Sequence, residues 1–267
     1  SISYDGTRIA WESECSAITG AGSTRKVVYS SFGTGWSSAI VPPNMAAGTC
    51  IARNAAWQRA AGSGNTNGKY LVLESSCNLR GGSNNSDGNI EIFRLDTTGS
   101  GSNAWTQITS TGVTRTCTGG SGSETVLNYG PSIDGSGNIV LFVSNAQLVG
   151  SSNGPCNSYQ VYANNNGTTS QLTTAGTSPV YVGLNLHSNG NDYAYERLNT
   201  TTGFTEIGRR QRTTAATDVT VFQGVAGATN VLIGLDGTTP VLDFLAADDP
   251  LGSNADFNFE VFYARGP

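Results

Sequence analysis

Three glutamates recur at one position of a repeated segment, and they are the first candidates for chemistry in this sequence. Glu12, Glu74 and Glu196 each stand near the end of a short β-rich run that follows an Asp-Gly or Asn-Gly pair. Cleavage of a glycosidic bond needs two carboxyl groups at a fixed separation, one protonated and one ionised. Equivalent positions in separate repeats lie too far apart for such a coupled pair. The recurrence therefore predicts either an acidic patch or, as we favour, a surface position satisfied by arginine or threonine neighbours.

The sequence lacks the spacing of a zinc site or of a Cys/His nucleophile. His187 is the single histidine, and none of the five cysteines forms a C-x-x-C pair. Calcium accepts carboxylate, amide and backbone oxygens, which are abundant in residues 83–89 and 253–256. Neither loop matches an EF-hand, and polar turn chemistry accounts for both. We therefore expect no cofactor, and calcium is the one metal worth testing.

Three Asn-x-Ser/Thr triplets fit the acceptor pattern for N-glycosylation. They begin at Asn84, Asn166 and Asn199, all in turn-like stretches. Composition does not fix the source of the protein, and in a bacterial source these matches are accidental. They stand as candidate glycosylation sites only.

Composition and charge exclude several classes of function. The 267 residues carry a formal net charge of −5, and only 12% of them are charged. A nucleic-acid-binding face needs clustered basic residues. Only Arg209, Arg210 and Arg212 cluster, and we expect them in an exposed loop. No apolar run approaches the ~18 residues of a membrane-spanning helix. We therefore expect neither a nucleic-acid partner nor a membrane span.

A turn followed by an apolar strand recurs five times along the chain. The five copies are residues 5–13, 67–75, 134–144, 189–197 and 236–246. Asp-Gly and Asn-Gly are strong hairpin signals, because both residues tolerate positive φ. Further strand-like pieces precede and follow each copy, and no segment shows a sustained helical period.

Four antiparallel strands per roughly 50-residue unit is the arithmetic of a β-propeller blade. We therefore predict one all-β domain, a five-bladed propeller of mostly four-stranded blades, with approximate blades 1–50, 51–118, 119–176, 177–228 and 229–267. Alternate residues of each second strand should pack between blades. These predicted core residues are Ile9, Trp11, Leu71, Leu73, Val140, Phe142, Tyr193, Tyr195, Leu242 and Phe244.

The units resemble the TolB-like, WD40-like propeller repeats of bacterial secreted and periplasmic proteins. The resemblance rests on the turn-strand motif and on a tail seen in residues 79–84 leading to 92–96, and again in residues 148–153 leading to 161–162. The resemblance covers nearly the whole chain. The chain departs from the TolB pattern in having five units and no visible N-terminal partner domain. Such propellers usually serve as binding platforms, so the resemblance implies a binding role by analogy of fold only.

A carbohydrate-active propeller is the alternative function. Five-bladed furanoside hydrolases place carboxylates on their inner strands, but the inner strands expected here, including Tyr129, Ser132 and residues 180–182, carry none. A repeated lectin site would show its tryptophans in register, and the four tryptophans fall at four different repeat positions. We therefore expect the chain not to be an enzyme, and we predict no hydrolysis of arabinan, fructan or xylan.

The five cysteines allow two bridges, and the repeat favours one pairing over another. Cys50 and Cys117 both lie between the fourth strand of one blade and the first strand of the next, so they can reach Cys77 and Cys156. This pairing between blades leaves Cys15 outside both bridges. The competing pairing within blades is Cys15–Cys50 and Cys77–Cys117. Disulfides with scarce lysine indicate an extracytoplasmic setting, whether secreted, cell-surface or periplasmic.

Only three strands are visible in the last unit. Either that blade has three strands, or the chain is part of a longer protein, or a neighbour supplies the fourth strand. An unpaired edge favours strand addition, so self-association at this blade is one possibility. The preferred function is a non-enzymatic, extracytoplasmic binding or assembly module with a protein or glycan partner.

Overall fold

The computed structural model describes residues 1–3, 5–19, 24–45, 49–58, 68–118, 122–150, 154–173, 180–212, 218–224, 228–236, 239–248 and 258–265. Within these ranges the chain is almost wholly β-structure. Its helical content is one short α-helix, α1 (Ser16–Thr19), and one 3-10 helix (Gly101–Ala104). Neither helix is long and apolar enough to cross a membrane.

In the described residues, five antiparallel sheets follow one another along the chain, and a separate hairpin lies between the second and the third. Sheet I contains β1 (Arg8–Ser13) and β2 (Lys26–Ser31). Sheet II contains β3 (Ala52–Trp57), β4 (Tyr70–Ser75), β5 (Glu91–Asp96) and β6 (Trp105–Gln107). The hairpin contains β7 (Thr114–Thr116) and β8 (Ser123–Thr125).

The remaining three sheets have the same order of strands. Sheet III contains β9 (Asn128–Ile133), β10 (Ile139–Ser144), β11 (Gln160–Asn165) and β12 (Thr168–Gln171). Sheet IV contains β13 (Val180–Leu186), β14 (Asp192–Leu198), β15 (Thr205–Gln211) and β16 (Val219–Gly224). Sheet V contains β17 (Ala228–Asp236), β18 (Thr239–Ala246) and β19 (Glu260–Arg265).

Sequential antiparallel pairing in each sheet confirms the predicted all-β propeller arrangement. The number of blades differs from the prediction, since four of the described sheets have three or four strands and sheet I has two. The hairpin of β7 and β8 was not predicted, because its two three-residue strands carry no apolar run. The predicted residue limits of the blades stay a prediction.

The core consists of apolar layers between successive sheets. Leu71 and Leu73 face sheet I, whereas Val72 on the opposite side of the same strand packs with Val140 and Phe142 of sheet III. The same alternation continues toward the C-terminal end of the chain, where Tyr193 and Tyr195 pack on sheet III and Leu242 and Phe244 on sheet IV. Both sides of β4, β10 and β14 are therefore buried, as expected for strands sandwiched between blades, whereas β18 leaves Asp243 exposed on its second side.

Sheet I is the exception to the predicted core. Ala10 is buried against sheet II, but Ile9 and Trp11 are only partly buried. The two side chains alternate with Ala10 as predicted, so they lie on the side of sheet I that faces away from sheet II. In a propeller, a neighbouring blade covers that side. The prediction that Trp11 is a core residue is therefore wrong, because burial requires a neighbouring sheet as well as the right strand phase.

The arginine cluster was also placed wrongly by the sequence. Arg209 and Arg210 belong to strand β15 and not to a loop. Arg210 is mostly buried and forms an ion pair with Asp218 at 2.9 Å. The basic run is thus part of the packing of sheet IV.

Candidate functional site

Each of the three recurring glutamates reaches the innermost strand of the next large sheet along the chain. Glu12 Oε1 accepts the backbone N–H of Asn54 at 2.8 Å, and Glu74 Oε1 accepts that of Gly130 at 2.8 Å. Glu196 accepts the backbone N–H of Asn230 in the same way. We call this contact the glutamate latch, because a side chain of one sheet holds the backbone of another.

The latch depends on an irregularity of the innermost strands. Asn54, Gly130 and Asn230 all have positive φ, at 52°, 65° and 57°. Each lies where the register of its strand shifts against the next strand. A bulge leaves a backbone N–H outside the ladder, without an acceptor in its own sheet. The glutamate supplies that acceptor, and asparagine and glycine are the residues that best tolerate such φ values.

Two of the three latches include an arginine. Arg25 lies 3.4 Å from Glu12, and Arg53 Nε donates to Glu74 Oε2 at 2.8 Å. The Glu74 side chain is fully buried and also accepts the Asn54 side-chain amide at 2.7 Å. These contacts fit the interpretation of a satisfied position with arginine neighbours.

Among the described residues, the third latch has no such cation. Glu196 accepts hydrogen bonds from the Thr229 hydroxyl and the Asn230 backbone, and burial raises the pKa of its carboxyl group. Within the described part of the chain, none of the ion pairs involves Glu196. The residue directly across the strand pair explains the difference. It is Arg53 for Glu74, but Gly183 for Glu196.

A cleft of about 380 Å³ opens beside Glu196. Its walls are the innermost strands of sheets IV and V, β13 and β17. Val182 and Leu232 line it and remain 47% and 43% exposed, which is high for apolar side chains of a sheet. Glu196 is the one carboxyl group among the described lining residues. The cleft thus combines apolar walls with a single acidic group, which suits binding, whereas glycosidic cleavage needs two carboxyl groups.

The predicted disulfide residues lie away from this cleft. The structure contains Cys50–Cys77 and Cys117–Cys156, which is the pairing between blades that the sequence favours. Cys15 is exposed and lies outside both bridges. Glu124 stands beside Cys117 and Cys156, but their sulfur atoms are bonded to each other and are not metal ligands.

The three asparagines of the glycosylation pattern are separated in the fold. Asn84 and Asn166 are exposed, each in a turn. Asn199 is partly buried, and its side-chain amide donates to Glu206 at 3.2 Å. The triplets remain candidate sites, and the engaged amide makes Asn199 the least accessible of them.

The predicted calcium loops give no coordinating cluster among the described residues. In residues 83–89, the amide groups of Asn85 and Asn89 donate to backbone and side-chain oxygens of neighbouring segments. Residues 253–256 lie outside the described residues. Calcium binding therefore stays a prediction.

Sequence reasoning identified Glu196 but missed Gly183, Thr229 and Asn230. Glycine carries no functional group, and its importance depends on standing opposite Glu196 across a strand pair. That pairing follows a register shift between Tyr181 and Gly183, which the sequence does not show. Asn230 had one usable signal, since asparagine recurs at the bulge of sheet II as Asn54.

Comparison with known proteins supports the fold. No protein-family model and no curated protein matches the sequence. A solved structure of a protein described as a TolB from Agrobacterium tumefaciens is similar at 12% identity and a TM-score of 0.53, covering 99% of this chain and 80% of that one. TolB from Acinetobacter baumannii is similar at 14% identity and a TM-score of 0.46, covering 97% and 52%. A chain of a nidogen/laminin complex is similar at 12% identity and 0.47, covering 82% and 69%. The Agrobacterium structure confirms the resemblance to TolB-like β-propellers at the level of fold.

Proposed function

We propose that this chain is a non-enzymatic, extracytoplasmic β-propeller module that binds a partner protein through the cleft beside Glu196. The cleft is the observation that carries the proposal. It lies at the innermost strands, where exposed Val182 and Leu232 form apolar walls around one acidic group. Exposed apolar groups around a few polar ones are typical of a binding site.

Sheet I serves as the first of five blades in this proposal. Residues 1–3 run along β1, since Ser1 and Ala10 exchange two backbone hydrogen bonds of 2.8 Å. On the other side of the sheet, Tyr29 and Ile40 exchange bonds of 3.0 and 2.7 Å. Four extended segments therefore lie side by side in the order expected of a blade, although only two of them are regular strands.

The extracytoplasmic location is supported by the two disulfides, which persist in oxidising compartments. Each bridge closes a long stretch of chain, with separations of 27 and 39 residues. Such closures stabilise a protein by about 3–4 kcal/mol in the chain-entropy model. A propeller held in this way suits a setting outside the cytoplasm.

The proposed function is tested by screening the protein against extended peptides and against arabinan, fructan and xylan. We expect peptide binding without hydrolysis of any glycan. Val182→Ser should weaken the peptide binding, because it removes an apolar wall of the cleft. Val113→Ser is the matched control, since Val113 is 46% exposed on another part of the surface. Glycan turnover would contradict the proposal and favour the carbohydrate-active alternative. Equal effects of the two valine variants on peptide binding would contradict the role of the cleft.

Strand β19 supports self-association as a second mode of binding. Among the described residues it is the outer strand of a three-stranded sheet, whereas sheets II, III and IV carry a fourth strand at the equivalent edge. Phe259, Val261 and Tyr263 expose 60%, 74% and 59% of their surface. Unpaired edges with apolar side chains favour strand addition. Val261→Lys should therefore lower any self-association seen by sedimentation, and an unchanged mass distribution of a self-associating protein would exclude this edge.

A further inference from the structure

We propose that the cleft beside Glu196 receives an arginine side chain from an extended segment of the partner, whose guanidinium completes the latch as Arg53 completes it at Glu74. This inference rests on the proposed binding function and deepens it by naming the group that is recognised. The contact of Arg53 with Glu74 inside the chain is the pattern on which the proposed contact with the partner is based.

The first step of the argument is the equivalence of the two glutamates. Each is the fifth residue of the second strand in its sheet, and each accepts a bulge N–H from the innermost strand of another sheet. The same cross-strand position faces both carboxyl groups. It is occupied by Arg53 in sheet II and by Gly183 in sheet IV.

The second step is the space that the glycine leaves. A Cβ atom built on Gly183 would lie 3.2 Å from Glu196 Oε2, so the carboxylate is directly beside the missing side chain. The cleft of about 380 Å³ includes Gly183, Glu196 and Asn230 in its lining. A side chain from another molecule can therefore enter this cleft and reach the carboxyl group of Glu196.

The third step is charge. Glu196 is held by two neutral donors, the Thr229 hydroxyl and the Asn230 backbone, and a partly buried carboxylate gains most from a cationic partner. Arginine presents a planar fork of donors, and its aliphatic stem can lie along Val182 and Leu232. Calcium fits less well, because it needs six to eight oxygen ligands and the described lining offers one carboxyl group.

The test compares two short peptides, acetyl-Val-Arg-Val-amide and its analogue with citrulline in place of arginine. Citrulline keeps the shape and most hydrogen-bonding groups but lacks the charge. Calorimetric titration of the full chain should show at least about tenfold tighter binding of the arginine peptide. The preference should shrink as salt is raised, because ion pairs with partly exposed groups are screened.

Three variants separate the guanidinium contact from other effects. Glu196→Gln keeps an acceptor for Thr229 and Asn230, and it should bring the ratio of the two affinities to about one. Gly183→Arg should weaken binding of the arginine peptide by about tenfold, because the new side chain fills the cleft from within the chain. Glu12→Gln is the matched control and should leave the ratio unchanged, since Glu12 already pairs with Arg25.

The outcomes distinguish this inference from the proposed function. Equal binding of both peptides, lost in Val182→Ser, would overturn the arginine contact and leave the binding cleft in place. Binding of other extended peptides from the screen, but of neither the arginine nor the citrulline peptide, would overturn this inference and leave the proposed function in place. Absence of binding by every peptide would overturn both. If Glu196→Gln does not fold, Gly183→Arg decides the question by itself, and undiminished binding of the arginine peptide to that variant would contradict the inference.

Discussion

The interfaces of sheets II with III and IV with V contain the same glutamate latch in two different states. At the first interface, Glu74 is fully buried and meets Arg53, Asn54 and Gly130. At the second, Glu196 meets two neutral donors and borders an open cleft. The difference arises from one residue across the strand pair, arginine in one sheet and glycine in the other. The proposed binding cleft thus lies where one side chain of a repeated contact is missing.

The largest expected effect is the loss of the Glu74 latch, which we call closed because Arg53 completes it. Glu74→Ala should lower the free energy of unfolding by about 3 kcal/mol, because it removes a buried carboxylate that accepts from Arg53, the Asn54 amide and the backbone N–H of Gly130. Denaturant unfolding measures this. Glu12→Ala is the control and should cost less than about 1 kcal/mol, since its ion pair with Arg25 is partly exposed. Equal losses for the two variants would show that burial of Glu74 does not matter.

A smaller effect is expected when the closed latch is made to resemble the Glu196 latch, which we call open because it borders a cleft. Arg53→Gly should cost about 2 kcal/mol, because it removes a charge-assisted hydrogen bond to Glu74. It should also create binding of the arginine peptide at sheet II, detected by titration of this variant in a Glu196→Gln background. A destabilised variant that gains no binding would show that the missing arginine alone does not make the site.

The smallest expected effect is a dependence of stability on pH at the open latch. The pKa of Glu196 is raised by burial, so its proton is held more tightly in the folded protein than in the unfolded chain. Its contribution to stability is therefore fully present below the unfolded pKa, near 4.5, and is lost as the pH rises toward the folded value. The free energy of unfolding of the natural protein should therefore fall relative to that of Glu196→Gln as the pH rises. A constant difference between them over this range would contradict the burial of this carboxyl group.

Much of the fold follows from the sequence, because local signals repeat five times. The Asp-Gly and Asn-Gly turns and the alternating apolar residues predicted the second and third strands of each unit, and Leu71, Tyr193 and Leu242 are buried as expected. Trp11 was misplaced because strand phase sets which way a side chain points, while its burial depends on whether another sheet lies there.

The candidate site was only half predictable for a related reason. The recurrence of Glu12, Glu74 and Glu196 is visible in the sequence, since each follows the same turn and strand. The partner across the strand is not visible, because each innermost strand contains a bulge that the sequence does not show. The register shifts after Arg53 in β3 and before Gly183 in β13. A glycine gives no chemical signal of its own, so the cleft appears only when the strands are paired.

The most direct test of this comparison follows the carboxyl carbons of glutamate by NMR during titration with acetyl-Val-Arg-Val-amide. The side-chain carboxyl signals of Glu12, Glu74 and Glu196 are assigned through single Glu→Gln variants. The account predicts that the Glu196 signal shifts in a saturable manner, while those of Glu12 and Glu74 stay in place because their arginines already occupy the latch. An unchanged Glu196 signal, or an equal shift of Glu74, would contradict the claim that the latch of sheet IV is the open one.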